Sequence, residues 1–287
     1  MPVHLPDSVD AAVAALAADR SATVLAGGTD LMVEVNEGHR RPDRSVVVVN
    51  RIPELRSWQR SADATELTIG AAVSWTEMAE GPLAEIVPAL AQAARTVGSP
   101  QIRNAGTLGG NLATCSPAGD GLPVLAALGA SVEVASASGR RSLPVGEFML
   151  GVKRTALAPG EMIVSITLPL VEGWQGYAKV GVRNAMVIAV ASACVVLDRS
   201  NRSVAVALGS VGPTVLRCPD AEDHLATVLD WDDLQAPAGE LERFRQLVSE
   251  ASRPITDHRS TADYRRHAVG VLAQRLVRRA TSRERAA

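Results

Sequence analysis

Apolar positions change rhythm along this chain, and each rhythm predicts an element. Ser8 reads as a helix N-cap, and the residues from Val9 to about Ala18 place Ala12 and Leu16 on one apolar face. Thr23 to Ala26 is a short apolar strand running into Gly27-Gly28. Val46 to Val49 is a continuous β-branched run and reads as a fully buried strand, with Arg41-Pro42 marking the loop before it. The opening segment thus reads strand, helix, strand, strand. A second unit begins near Pro53. Glu66 to Val73 alternates as a strand, Ser74 with Glu77 fits a capping box that opens a short helix, and Leu83 to Arg95 reads as another helix, apolar at Ile86, Leu90 and Ala94.

From Val97 to Gly121 the periodicity disappears. Gly98, Gly106, Gly109, Gly110, Gly119 and Gly121 with the two prolines Pro100 and Pro117 read as a long loop, which Ile102, Leu108 and Leu112 mark as ordered and therefore functional. Strands return at Ser131 to Ala135 and at Met162 to Leu168. After Glu172-Gly173 come strands at Tyr177 to Val182, Val190 to Leu197 and Val204 to Leu208, with Asp198 to Ser203 as a polar hairpin. Helices follow at Asp220 to Leu229, Glu240 to Ser252 and Asp263 to about Ala280. Strands followed by helices predict an α+β arrangement rather than a doubly wound sheet. The units divide as residues 1–53, 54–172 and 173–287.

Composition narrows the function. With 47% hydrophobic and 21% charged residues over 287 positions, a core is readily buried. Aromatics are only 3%, so the core is Ala, Val, Leu and Ile, and a stacking platform for single-stranded nucleic acid is hard to assemble. A net charge of −2 argues further against a nucleic-acid partner. Cys115, Cys194 and Cys218 are odd in number and far apart, which excludes a disulfide framework and any iron–sulfur or zinc site built on cysteines of this chain alone. The longest apolar stretch, Met186 to Leu197, is too short to span a membrane. The first residues carry Asp7, Asp10 and Asp19 without a basic region, so no signal peptide is read and a reduced, cytoplasmic setting is expected. Of 29 basic residues only Lys153 and Lys179 are lysines. The late arginines (Arg265, Arg266, Arg275, Arg278, Arg279, Arg283, Arg285) read mostly as a solvated helix face.

Two glycine pairs carry the candidate chemistry: Leu25-Ala26-Gly27-Gly28-Thr29-Asp30-Leu31 and Thr107-Leu108-Gly109-Gly110-Asn111. Glycine tolerates positive φ and lets backbone N–H groups converge on an anion, and the Thr and Asn side chains add donors. Two such loops from separate units could hold both phosphates of a dinucleotide. Neither Gly-x-Gly-x-x-Gly after a strand nor a Gly-Lys-Ser/Thr P-loop occurs, which argues against a Rossmann or P-loop site. The residues by themselves stop at an anionic-ligand site between two α+β units, with plain chain turns as the alternative.

The first glycine segment, together with the run from Gln101 through Thr107-Leu108-Gly109-Gly110-Asn111 to Asp120, strongly resembles the FAD-binding (medium) subunit of the molybdenum hydroxylases, the xanthine dehydrogenase and carbon monoxide dehydrogenase family. The likeness continues through Arg51 to Leu55, Lys179 to Ala189 and Ser260 to Arg266. It implies a vanillyl-alcohol-oxidase (PCMH) type FAD-binding fold of two α+β subdomains, followed by a C-terminal domain of antiparallel sheet and helical bundle. It further implies that Val24, Leu25, Ala26, Gly27, Gly28, Thr29, Asp30 and Leu31 form the first loop around the FAD diphosphate, and that Thr107, Gly109, Gly110 and Asn111 form the second, with Thr114 beside them. Asp120 matches a position that binds the adenosine or ribityl part, Val97 and Ile163 match apolar positions lining the cofactor, and Lys179 matches a lysine near the flavin ring, whose removal is expected to lower the flavin potential and spare the fold. The implied partners are a small [2Fe–2S] subunit and a large molybdopterin subunit, with electrons passing through FAD to NAD or another acceptor and no side chain of this chain acting as catalytic acid or base. A free-standing FAD-dependent reductase or oxidase and a flavin-free scaffold subunit remain as alternatives. Two positions depart from the pattern: Val187, where an Asp is frequent, leaves the acceptor open, and Cys115 stands where a small residue is usual and reads as a buried, inert thiol.

Overall fold

Parallel pairing of β-branched strands starts the chain's fold. In the computed structural model, which describes residues 2–39 and 44–284, Val46–Val48 lies between Val3–His4 and Thr23–Leu25 and pairs parallel with both. A parallel neighbour needs a crossover, and the helix Val9–Ala18 supplies one, with Ser8 Oγ accepting the Ala11 amide at its N-terminus. Its buried face, Val9, Ala12, Val13 and Leu16, joins Val47, Val49, Ile52 and Leu55 in one apolar cluster. Arg41-Pro42 and Arg285 lie outside the described residues, as does the side chain of Arg283.

The second sheet has five antiparallel strands in the order Trp58–Arg60, Glu66–Gly70, Met162–Pro169, Ser131–Ser136, Gly139–Pro144. A bulge between Ile163 and Ser165 shifts the register. Met162 and Val164 consequently face the N-terminal cluster, while Ile163, Ile166 and Leu168 face the main core. The capping box at Ser74 and Glu77 is formed in full, at the start of the helix Trp75–Ala79. The single helix expected over Leu83 to Arg95 is two, Gly81–Ile86 and Pro88–Thr96, because Pro88 has no N–H and its ring clashes with a continuing helix.

The long loop expected from Val97 to Gly121 instead holds two short helices, Pro100–Ala105 and Leu108–Thr114, and a third, Gly121–Ala127, starts at its end. Each spans under two turns, too few for a helical period to register. The first two are capped at their N-termini: Ser99 Oγ accepts the Ile102 amide at 3.3 Å and Thr107 Oγ1 accepts the Gly110 amide at 3.0 Å.

The third sheet is antiparallel, in the order Gly173–Val180, Ala191–Asp198, Ser203–Gly209, Leu216–Arg217, and its hairpin turns between Asp198 and Ser203. Tyr177, Cys194, Val196 and Ala207 face the core of the second sheet; Ala193, Val195, Leu197, Val206 and Leu208 are covered by helices Pro219–Val228, Ala238–Ala251 and Ala262–Glu284. Burial on both faces explains the unbroken apolar run in the central strand. No helix among the described residues is long and apolar enough to cross a membrane.

Arg265 departs from the solvated arginine face expected of the last helix. Only 4% of its side chain is exposed, and Nη1 donates to the carbonyls of Val190 (2.8 Å) and Ser210 (3.0 Å) while Nη2 pairs with Asp257 Oδ1 at 2.7 Å. Burial pushes the Asp257 carboxyl up, but the Arg259 amide, Arg265 and the Ser260 amide prevail and hold it down, from 3.8 to about 2. A depressed carboxyl stabilises above its unfolded value and loses that contribution as pH falls. Thermal melts should therefore show stability draining away between about pH 4 and about 2, and less steeply in Asp257→Asn; parallel curves for the two proteins would remove this linkage.

Candidate cofactor-binding site

The first glycine segment begins where a β-ladder stops. The Val49 amide donates to Leu25 O at 2.9 Å, the last rung of that pairing, and the chain then turns through Ala26 to Asp30 into the helix Leu31–Asn36. Gly28 has φ +72, in the left-handed region that favours glycine. A Cβ on Gly27 would lie 1.8 Å from Ala105 O, so only glycine lets this turn lie against the end of helix Pro100–Ala105. Thr29 Oγ1 lies 3.4 Å from where a Cβ on Gly106 would stand, so the two segments meet. Among the described residues, no acceptor takes the amides of Gly27, Gly28, Thr29 and Asp30. Consecutive unpaired N–H groups in a turn form a concavity suited to an anion.

The second segment is built differently. Leu108 N–H donates to Val73 O (3.2 Å), Gly109 N–H to Ala71 O (2.9 Å), Gly110 N–H to Thr107 Oγ1 (3.0 Å) and Asn111 N–H to Thr107 O (3.0 Å). Both pairs were read as supplying amide donors; only the first has them free. The glycines of the second serve close approach. A Cβ on Gly109 would lie 2.5 Å from that of Ala71, while one on Gly110 would meet only Thr107 Oγ1, at 3.0 Å. Beside them Asn111 Oδ1 is buried with no partner, an orphaned acceptor of the kind that a ligand donor satisfies.

Between the segments lies a cavity of about 520 Å³, lined by Val24 to Leu31, Val97, Thr107, Gly109, Gly110, Asn111, Thr114 and Ile163. The structure thus brings together most of the residues singled out in the sequence. It adds Trp75, Ile102, Lys153, Leu157, Glu161 and Met162. Met162 and Ile163, just before the bulge, both line the cavity. Two ties cross the cleft: Thr114 Oγ1 donates to Asp30 Oδ2 at 2.7 Å, and Lys153 Nζ to Glu34 Oε1 at 3.0 Å. Lys153 had one signal in the sequence, its rarity; the hairpin Met149–Gly151/Arg154–Thr155 that presents it is too short to show a period.

Asp120 and Lys179 do not line this cavity. They meet each other behind it, almost fully buried, with 9% and 6% of their side chains exposed. Lys179 Nζ donates to Asp120 Oδ2 (2.6 Å), Thr96 O (2.9 Å) and Val187 O (3.1 Å), which uses every ammonium proton. Tyr177 O–H donates to Asp120 Oδ1 at 2.8 Å. Burial pushes the Asp120 carboxyl up against the pull of Lys179 and Tyr177. Thr96 precedes the cavity-lining Val97, so the cluster stands one residue behind the wall. Cys115 is buried, and burial pushes its thiol up, away from reactivity. Arg103 donates to the carbonyls of Val97 and Gly98, and Arg183 to those of Ala185 and Met186.

The chain was compared with known proteins. Residues 1–171 match the family model for the FAD binding domain in molybdopterin dehydrogenase, and residues 177–280 that for the CO dehydrogenase flavoprotein C-terminal domain. The carbon monoxide dehydrogenase medium chain of Hydrogenophaga pseudoflava is 31% identical, over 98% of this chain and 96% of that protein. The nicotine 6-hydroxylase medium subunit of Paenarthrobacter nicotinovorans is also 31% identical, over 97% and 96%. Reconstituted CO dehydrogenase from Oligotropha carboxidovorans contains a chain that superposes with a TM-score of 0.88 at 29% identity, covering 99% of this chain and 98% of that one. Fold, glycine segments and relatives agree along the whole length: the chain belongs to the FAD-binding medium subunits of the molybdenum hydroxylase family.

Proposed function

We propose that the cavity between the two glycine segments holds FAD, and that the chain relays electrons from a small iron–sulfur subunit, supplied by a large molybdopterin subunit, to NAD or another acceptor. The observation that carries the site is the run of amides from Gly27 to Asp30, without an acceptor among the described residues, in a segment that lines that cavity. Those amides would donate to the diphosphate. Gly109, bare of Cβ, seats the second segment against Ala71, and Gly110, whose Cβ would meet only Thr107 Oγ1, lets the ligand approach closely. Asn111 Oδ1 would accept from a ligand hydroxyl or amide, which removes the cost of an unmet buried acceptor. Val97, Ile102, Leu157 and Ile163 supply apolar wall that excludes water. FAD when bound supplies exchange between one-electron donors and two-electron acceptors, chemistry that belongs to the cofactor. Asp120 and Lys179 act from behind, holding Thr96 and the segment at Val187 in place.

The partner assignment is supported by the relatives' names as medium chains of carbon monoxide dehydrogenase and nicotine 6-hydroxylase. Isolation of the chain with whatever accompanies it, followed by an absorption spectrum and mass spectrometry, tests both parts. Flavin bands, one larger chain and one smaller chain are expected, and Gly28→Val and Gly110→Val should lose the flavin. A colourless wild-type protein would end the FAD reading, and a coloured protein isolated alone would end the relay reading in favour of a free-standing flavoenzyme.

A further inference from the structure

We infer that Lys153 is a further binding residue of this site: its ammonium, held by Glu34 across the cavity mouth, is the counter-charge that the diphosphate of the nucleotide takes over. The inference rests on FAD occupying the cavity and says how the ligand's charge is met. Among the described residues that line the cavity, the charged side chains are Asp30, Glu34, Glu161 and Lys153. Three carboxylates oppose a ligand that brings two phosphate charges of its own. Glu161 is answered from outside by Arg141, whose Nε and Nη2 donate to its oxygens at 2.8 and 2.7 Å. Asp30 is engaged by the Thr114 hydroxyl. Among the described residues Lys153 is the cation within the wall itself, 3.0 Å from Glu34 Oε1.

The backbone fixes where that ammonium can reach. Lys153 has φ +52, a conformation a β-carbon disfavours, in the turn between strands Met149–Gly151 and Arg154–Thr155. Its amide donates to Cys115 O at 3.0 Å, and Cys115 closes the helix Leu108–Thr114. The main chain of Lys153 is thus anchored to the second glycine segment, while its side chain spans to Glu34 in the helix after the first. An ammonium so mounted stands at the gap that the ligand must enter. The present pairing is exchangeable: 61% of the Lys153 side chain and 35% of the Glu34 side chain are exposed, and ion pairs so wet contribute little. A doubly charged diphosphate competes well against one partly exposed carboxylate.

The test is titration of the full chain, isolated as it occurs and stripped of flavin, with FAD, followed by flavin fluorescence, and with ADP as competitor. Lys153→Met should weaken FAD and ADP about tenfold at low ionic strength, less so at high, because salt screens an exposed charge. Lys153→Arg should bind nearly as wild type. Glu34→Gln, which frees the ammonium, should tighten both ligands. FAD affinity within twofold of wild type in Lys153→Met would overturn the inference. So would equal weakening in Lys153→Met and Glu34→Gln, which would make the pair a mechanical strap. If Lys153→Met misfolds, the direction of the Glu34→Gln shift decides alone. Gly28→Val run alongside separates the two levels: FAD lost there but kept by Lys153→Met sinks Lys153 only, and FAD kept by both sinks the site as well.

Discussion

Gly27→Ala is expected to abolish FAD retention with a single added methyl group. The new Cβ would stand 1.8 Å from Ala105 O and 3.0 Å from Gly106 Cα, and both obstacles are backbone, which cannot rotate aside. The first turn must then withdraw from helix Pro100–Ala105, carrying its free amides out of line with the second segment. Overpacking of this kind costs about 1–3 kcal/mol, but the loss of ligand should be complete, because the donors move together. Gly146→Ala is the matched control, since a Cβ there meets nothing within 4 Å and φ is not in the left-handed region. Flavin-to-protein ratio and thermal midpoint report the two effects. An alanine variant that keeps its full flavin would show that the contact with Ala105 does not position the site.

Lys179→Met should be the most damaging single change for stability. It leaves the Asp120 carboxyl buried beside Tyr177 without its cation and strips the Thr96 and Val187 carbonyls of their donor. Breaking one side of a buried pair costs about 3–5 kcal/mol. Adding Asp120→Asn should recover part of it, the sign of coupling between neighbours. The variant's pH dependence follows. Burial alone then pushes the Asp120 carboxyl up, so the folded protein keeps a proton that the unfolded chain gives up, and stability falls as pH rises above the ordinary carboxylate range. Urea titrations at several pH values check this; a Lys179→Met protein as stable as wild type would mean that Asp120 finds water or another donor. A lysine recognised from sequence suggests a ring-side cation whose loss spares the fold. Its three acceptors make it a tie between the helix Pro88–Thr96, the turn at Asp120 and the third sheet.

Strands whose apolar pattern marks a buried face were legible to within a few residues, as at Glu66–Gly70 and Ala191–Asp198, whereas Gly139–Pro144, exposed along most of its length, was not. The helices between Val97 and Ala127 were not, because glycine and proline cut them into pieces shorter than the period that would reveal them. Of the site, the two glycine segments were visible because their spacing is local. Their unequal use was not: whether the Leu108 and Gly109 amides are free depends on whether Val73 and Ala71 lie opposite, and those partners come from a distant part of the sequence. Lys153, Leu157 and Glu161 reach the cavity only because Met162–Pro169 becomes the central strand of the second sheet. Arg265 looked like its exposed neighbours because position on the helix, not residue type, decides that it meets Asp257.

Amide hydrogen exchange on the full chain, with and without FAD, tests the site most directly. Gly27 to Asp30, which have no acceptor of their own, should exchange fast in the free protein and slow sharply when FAD binds, while Gly109 to Asn111, already bonded to Ala71 and Thr107, should change far less. Bound FAD with unaltered exchange from Gly27 to Asp30 would contradict the account, because the diphosphate would then lie somewhere other than against the first turn.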